Sequence, residues 1–197
     1  MTDLLATIPT PDGADLARLQ ADLVRRAEAE DLLDVAYCTI DSPLGALLLA
    51  ATPVGLVRVA FEGEDHAAVL ATIADDVSPR VLRAPPRLDA TARQLDEYFA
   101  GRRRAFDVPV DLRLAHGFRH AVLEHLRDIP YGHTESYAVV ARAAGSPNAV
   151  RAAGSACATN PVPLVVPCHR VVRSDGSIGQ YRGGVEAKRQ LLALEAA

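Results

Sequence analysis

A chain of 197 residues that is 49% hydrophobic has enough apolar material for one packed domain or two small ones. No apolar run reaches the roughly 18 residues that a membrane helix needs, and no basic-then-apolar leader opens the chain, so the sequence predicts a cytoplasmic protein without a membrane span. The 3 cysteines fit a reducing compartment in which thiols stay free, and the formal charge is −4.

Residues 1–34 read as an acidic extension. Asp3, Asp12, Asp15, Asp22, Glu28, Glu30, Asp31 and Asp34 stand against Arg18, Arg25 and Arg26, a local charge of −5 that leaves +1 for the rest of a chain at −4. Leu16, Leu19, Leu23 and Val24 recur at helical spacing and predict a packing or solubilising helix from about Ala14 to Leu33. Val35–Ile40, Leu44–Ala51 and Gly55–Phe61 read as strands, separated by the turn signals Asp41-Ser42-Pro43 and Thr52-Pro53. Cys38 in the first of them reads as a core residue. Ala67–Ala74 and Leu88–Phe99 read as helices, and the Arg102-Arg103-Arg104 triplet after Gly101 as a solvated turn. Phe106–Leu112 contains Pro109 and is predicted as an edge strand, closing an α/β unit over residues 35–112.

From Ala115 the pattern turns helical, with Phe118, Val122 and Leu126 on one face and Leu123 beside them. Ser136–Ala144 and Asn148–Ala158 read as two short alanine-rich helices split by Gly145-Ser146-Pro147, a helix-turn-helix pattern in which Asn148 suits an N-cap. Such a pair is equally an ordinary helical hairpin. Charge separates the two: no Asp or Glu lies between Glu135 and Asp175, whereas Arg142, Arg151, Arg170 and Arg173 do, in a chain with 25 acids. A surface free of carboxylates can approach phosphates. On the residues alone, Arg151 is either a surface phosphate contact or a planar guanidinium that replaces a stacked base.

Three prolines between Asn160 and Pro167 forbid a helix and predict a rigid, extended segment that delivers Cys168 to a fixed place. A thiol attacks as thiolate, and His169 and Arg170, a base and a cation, follow it directly. A buried structural cysteine is the alternative. Metal binding is not expected, because the chain has only 3 cysteines and no Cys-x-x-Cys.

Pro167-Cys168-His169-Arg170-Val171, preceded by Asn160-Pro161-Val162-Pro163, resembles the active-site signature of the O6-alkylguanine-DNA alkyltransferases. The likeness continues through Gly176, Gly179, Tyr181, Gly183-Gly184, Lys188 and Leu191-Leu192 to Glu195, and backwards through Arg151, Ser136-Tyr137 and Tyr131-Gly132. It is dense over the second half of the chain and only an outline over the first.

The resemblance implies an α+β protein with a ribonuclease-H-like sheet-and-helix domain followed by a helical, winged-helix-like DNA-binding domain over residues 113–197. It implies single-turnover transfer of an alkyl group from O6-alkylguanine to Cys168, with O4-alkylthymine as a further substrate, on a base flipped out of alkylated double-stranded DNA by a monomer without cofactor. His169, oriented by Glu195, is implied as the base acting through a water, Tyr137 as phenolic donor and phosphate contact, and Asn160 as the brace of the turn. Arg151, Ser136, Arg142 and Ala152 are implied at the DNA, and Pro163, Val171, Tyr181, Arg182 and Gly183 around the guanine. The chain departs from the family in having no Trp, with Leu123 where members often carry one, and in Arg182 where small residues are common. Cys157 reads as packing. A non-catalytic module that binds alkylated DNA and a Cys-His hydrolase are the two other classes that the residues allow.

Overall fold

The structure is a computed structural model that describes residues 12–196. Its first helix, α1 (Gly13–Ala29), opens with the Asp12 side chain accepting the Asp15 N–H, and stops where Asp31 takes a left-handed φ of 54°, short of Leu33. Strands β1 (Val35–Ile40), β2 (Leu47–Ala51) and β3 (Leu56–Ala60) follow, then α2 (His66–Asp76), β4 (Val81–Arg83) and α3 (Asp89–Phe99). The sheet order is β3-β2-β1-β4, antiparallel except for the parallel β1–β4 pair. The sequence pattern missed β4, whose three residues between Pro79 and Pro85 are too few to show a period.

Phe106–Leu112 is not a strand. Val110 makes one isolated bridge to Leu56, and the Asp107 N–H is taken by the Gln94 side chain. Pro109 has no N–H to extend the ladder.

The second half holds α4 (Gly117–Leu126), β5 (Glu135–Ser136), α5 (Tyr137–Ala143), α6 (Val150–Ala158), β6 (Val171–Val172) and α7 (Gly184–Glu195). Helix α6 begins at Val150 behind Ala149, so Asn148 lies outside the capping position and no side chain caps this end. Alanines at the α5–α6 contact, Ala141, Ala153 and Ala156 among them, are buried and let the two short helices approach closely. Two-residue strands β5 and β6 pair in parallel, Glu135 with Val171 and Ser136 with Val172. This pairing ties the start of the helix-turn-helix to the residues just after Cys168.

One core runs through both halves. Leu47, Leu49, Val59, Leu95 and Tyr98 from the first pack with Val122, Leu123, Leu126, Val162, Val166 and Leu191 from the second. Leu123 is fully buried in it. Helix α1 docks separately, with Val24 and Ala27 against Leu33, Ala36 and Ala84, while Leu16, Leu19 and Leu23 are about half exposed at 54%, 56% and 50%. Its helical leucine pattern therefore marks only the edge of the docked face.

Candidate active site

One side chain closes the loop that presents the thiol. Asn160 Oδ1 accepts the Val162 N–H at 3.0 Å, and Asn160 Nδ2 donates to the Val166 carbonyl at 2.8 Å. The Val166 N–H also reaches the Val162 carbonyl at 2.9 Å, and Leu164 takes a left-handed φ of 74°. The predicted extended segment is thus a compact loop. Proline fixes φ at a value that serves turns as well as extended chain, and the Asn160 amide supplies the bonds that close the turn.

Cys168, His169 and Arg170 then form a single turn of 3-10 helix, all three buried. His169 Nε2 lies 2.8 Å from Glu195 Oε1 on the last turn of α7. Glu195 is held as a carboxylate: Arg170 donates to both of its oxygens at 2.8 and 3.0 Å, Tyr98 Oη donates at 2.7 Å, and the Gly132 N–H at 3.2 Å. Burial alone would raise its pKa, yet these bonds, His169 and Arg170 foremost, hold it well below the usual carboxylate range. An acceptor-only carboxylate requires that Nε2 carry the hydrogen, which leaves Nδ1 as the basic nitrogen. Nδ1 has no partner among the described residues. Burial lowers the His169 pKa, so the ring is neutral and able to accept a proton at neutral pH.

Cys168 is 2% exposed. Burial pushes its thiol up to about 11, against the pull of the Asn160 side chain and then the Lys188 ammonium. Lys188 is itself fully buried, donates to the Val171 carbonyl at 2.5 Å, and stands 5.9 Å from the centre of the Tyr137 ring. Cys157, on the inner side of α6, is pushed further up by burial and by Cys168, and Cys38 is a buried thiol in β1.

Tyr137 starts α5 behind the N-cap Ser136, whose Oγ accepts the Val139 N–H at 3.3 Å. Its phenol sits between two glycines. A Cβ at Gly154 of α6 would lie 4.0 Å from the ring, and one at Gly179 would lie 2.5 Å from the hydroxyl. Arg142, Arg151, Ala152 and Arg173, all within the acid-free stretch, are exposed. Arg170 is not: it is 6% exposed, forked onto Glu195 and bonded to the Ile129 carbonyl. Of the four arginines in the acid-free stretch, Arg170 is therefore withdrawn from any surface that could meet phosphate. Among the described residues, no cluster of three His, Cys, Asp or Glu side chains is placed to hold a metal.

The family model described as "6-O-methylguanine DNA methyltransferase, ribonuclease-like domain" matches residues 35–112, and "6-O-methylguanine DNA methyltransferase, DNA binding domain" matches residues 117–197. The chain belongs to this methyltransferase family. It is 39% identical over 162 residues to the methylated-DNA--protein-cysteine methyltransferase of Mycolicibacterium paratuberculosis, covering 82% of this chain and 92% of that one. The constitutive methylated-DNA--protein-cysteine methyltransferase of Bacillus subtilis is 37% identical over 160 residues, covering 81% and 94%. A crystal structure of Mycobacterium tuberculosis OGT in complex with DNA matches with a TM-score of 0.72 at 37% identity, over 82% of this chain and 92% of that chain. Helix α1 precedes both family-matched regions.

The α+β architecture expected from the family resemblance is the one observed. Of the residues that the resemblance set around guanine, Pro163 is buried within the thiol loop, Val171 is buried directly after the Cys168 turn, and Tyr181 is buried with a hydroxyl that has no partner among the described residues. Gly183 lies against the Phe61 ring, and Arg182 pairs with Glu64 of the first half at 2.9 Å. The sequence did not single out Tyr98. It falls on the buried stripe of α3 with Thr91, Gln94 and Leu95, and a tyrosine in such a stripe needs a partner for its hydroxyl. That was the available signal.

Proposed function

We propose that this protein repairs alkylated DNA by direct reversal, moving the alkyl group from guanine O6 to Cys168 in a single turnover. The observation that carries it is the Glu195–His169 pair, with a free basic Nδ1, in the same buried turn as Cys168. Cys168 and His169 make no direct hydrogen bond, so a bridging water carries the thiol proton to Nδ1. The thiolate attacks the alkyl carbon, the carbon–O6 bond breaks, and its electron pair stays on guanine. Tyr137 donates a proton to that leaving base and is re-protonated from solvent. Lys188 favours the thiolate by its charge. The product is a thioether, which water does not reverse, so each molecule acts once.

The target base leaves the duplex to reach a buried thiol, at a cost of a few kcal/mol. Arg151 occupies the vacated stack, and Ser136, Tyr137, Arg142 and Ala152 lie along the phosphate backbone. Protein and duplex combine as a monomer on double-stranded DNA, without a cofactor, in the cytoplasm. O4-alkylthymine is accepted by the same chemistry.

Intact-mass measurement after mixing with a duplex containing O6-methylguanine tests this. The expected result is one added methyl group, mapped to Cys168 and absent in Cys168→Ala, which still binds the duplex. Methyl on Cys38 or Cys157, or continued turnover, overturns the assignment.

A further inference from the structure

Three consecutive residues of the guanine-pocket wall are docked on one turn of the first half. The Tyr181 ring meets the Phe61 ring edge-on, with centroids 5.5 Å apart. Arg182 Nε donates to Glu64 Oε2 at 2.9 Å. Gly183 lies so close to Phe61 that a Cβ there would stand 2.8 Å from the ring.

Glu64 is the knot of this contact. Its Oε1 accepts the Phe61 N–H at 2.9 Å, and its Oε2 is shared by Arg182 and by Arg58 of β3. The Arg58 and Glu64 side chains are 9% and 16% exposed, so solvent screens their pair weakly. A cavity of about 480 Å³ beside them is lined by Arg58, Arg119 and Arg182 together with Glu64, Asp65 and Asp76. Asp65 spends its carboxylate on the N–H groups of Ala67 and Ala68, and Arg119 has no carboxylate partner among the described residues. Glu64 therefore stands between guanidiniums that repel one another.

We propose that Glu64 is a positioning residue that latches the Tyr181–Gly183 wall onto the first half and so sets which alkyl groups the pocket accepts. This rests on the alkyl-transfer function proposed above. With Glu64 neutral, Arg182 loses its only carboxylate partner among the described residues while Arg58 and Arg119 stay beside it, and it moves outward. Tyr181 and Gly183 leave Phe61 with it, and the pocket widens. A methyl group depends on a tight wall to hold its carbon in line with the thiolate, and positioning of this kind is lost steeply with small displacements. A benzyl group fills the wider space.

The test measures single-turnover transfer from O6-methylguanine and from O6-benzylguanine, each in the same duplex so that DNA binding cancels. Glu64→Gln and Arg182→Met are each expected to lower the methyl-to-benzyl rate ratio about tenfold. Because the two residues act through one contact, the double variant is expected to shift the ratio no further than either single one. Hydrogen exchange at residues 181–184 supplies a readout independent of chemistry and is expected to quicken in both variants. An unchanged ratio, or additive shifts, overturns the latch whatever the exchange shows. If the unaltered protein transfers no alkyl group, the proposed function fails instead, and exchange alone judges the contact: unchanged protection at 181–184 overturns it. Should Glu64→Gln not fold, Arg182→Met at the more exposed end of the pair carries the test.

Discussion

Tyr98 Oη donates to Glu195 Oε1 across 2.7 Å, joining α3 of the first half to the last turn of α7. The same hydroxyl is 3.4 Å from His169 Nε2, but that nitrogen also carries a hydrogen aimed at Glu195, so the second approach is proximity and not a bond. The carboxylate that holds His169, the base proposed for Cys168, is thus oriented in part by a residue from the other half of the molecule. Tyr98→Phe keeps the ring contacts to Phe99, Phe106 and Tyr131 and removes only the hydroxyl. A hydrogen bond to a charged group contributes about 1.5–3 kcal/mol, and four donors to Glu195 remain, so the lower end of that range is expected in denaturant unfolding. Single-turnover transfer is expected to slow about tenfold. Full activity in Tyr98→Phe would show that Arg170 and Gly132 suffice to orient the carboxylate.

Lys188 is the cation that favours the Cys168 thiolate from inside the core. Lys188→Met removes it at similar volume. The Cys168 pKa, already about 11 through burial, is expected to rise, and each unit costs tenfold in thiolate at a pH below it. The transfer rate at neutral pH should fall by about tenfold or more, and the alkaline rise of the pH–rate profile should move upward. A slower rate with an unmoved profile would mean that Lys188 acts by holding the Val171 carbonyl.

Acid should weaken the fold through the same residues. His169 and Glu195 both have folded pKa values below their ordinary ones. Such groups bind fewer protons folded than unfolded, so they contribute stability above the unfolded pKa and lose it as pH falls. Loss is expected to begin below about pH 6.5 from His169 and to steepen below about pH 4.5 from Glu195. Urea midpoints measured from pH 7.5 to 4 check this, and His169→Gln should flatten the upper part of the curve. A midpoint constant down to pH 5 in the unaltered protein would contradict the buried neutral imidazole.

What was legible in the sequence follows from the range of the interaction involved. The strand Val35–Ile40 was read to the residue because its apolar content and turn signals are local. The placing of Cys168 and His169 in one buried turn was legible because the two are adjacent. The Tyr98–Glu195 bond spans 97 positions, and nothing local marks it. Arg170 was assigned to the DNA face because a charge count sees sign and not burial. The loop from Asn160 was misread because prolines exclude a helix without choosing between a turn and an extended chain, a choice made by one amide.

Arg151 is exposed near the start of α6 and has no side-chain partner among the described residues. If it supports the extruded base, Arg151→Ala should slow repair in duplex DNA by about a hundredfold, as the support opposes an unstacking cost of a few kcal/mol. Transfer from free O6-benzylguanine should change little. Equal losses on both substrates would place Arg151 in folding or chemistry.

The acidic extension makes opposite contributions to stability and to DNA binding. Removing residues 1–34 takes the net charge from −4 to +1, which favours approach to phosphate at low salt. The gain should be small and fade with added salt, since exposed charges beyond about 10 Å are screened at 0.1 M. The same deletion strips Val24, Ala27 and Leu33 from Ala36 and Ala84, removes the Gln20 bond to the Arg83 carbonyl and leaves Arg80 without Asp34. Losing the burial of Val24 and Leu33 costs on the order of 3–6 kcal/mol, so the melting temperature should fall. Replacing Asp15 and Asp22 by Asn separates the two effects, because among the described residues their carboxylates pair only with Arg18 and Arg25 of the same helix. That double variant should raise low-salt DNA affinity with a nearly unchanged melting temperature. If it binds more weakly than the unaltered protein, α1 contacts DNA or a partner through its acids, and the electrostatic account is wrong.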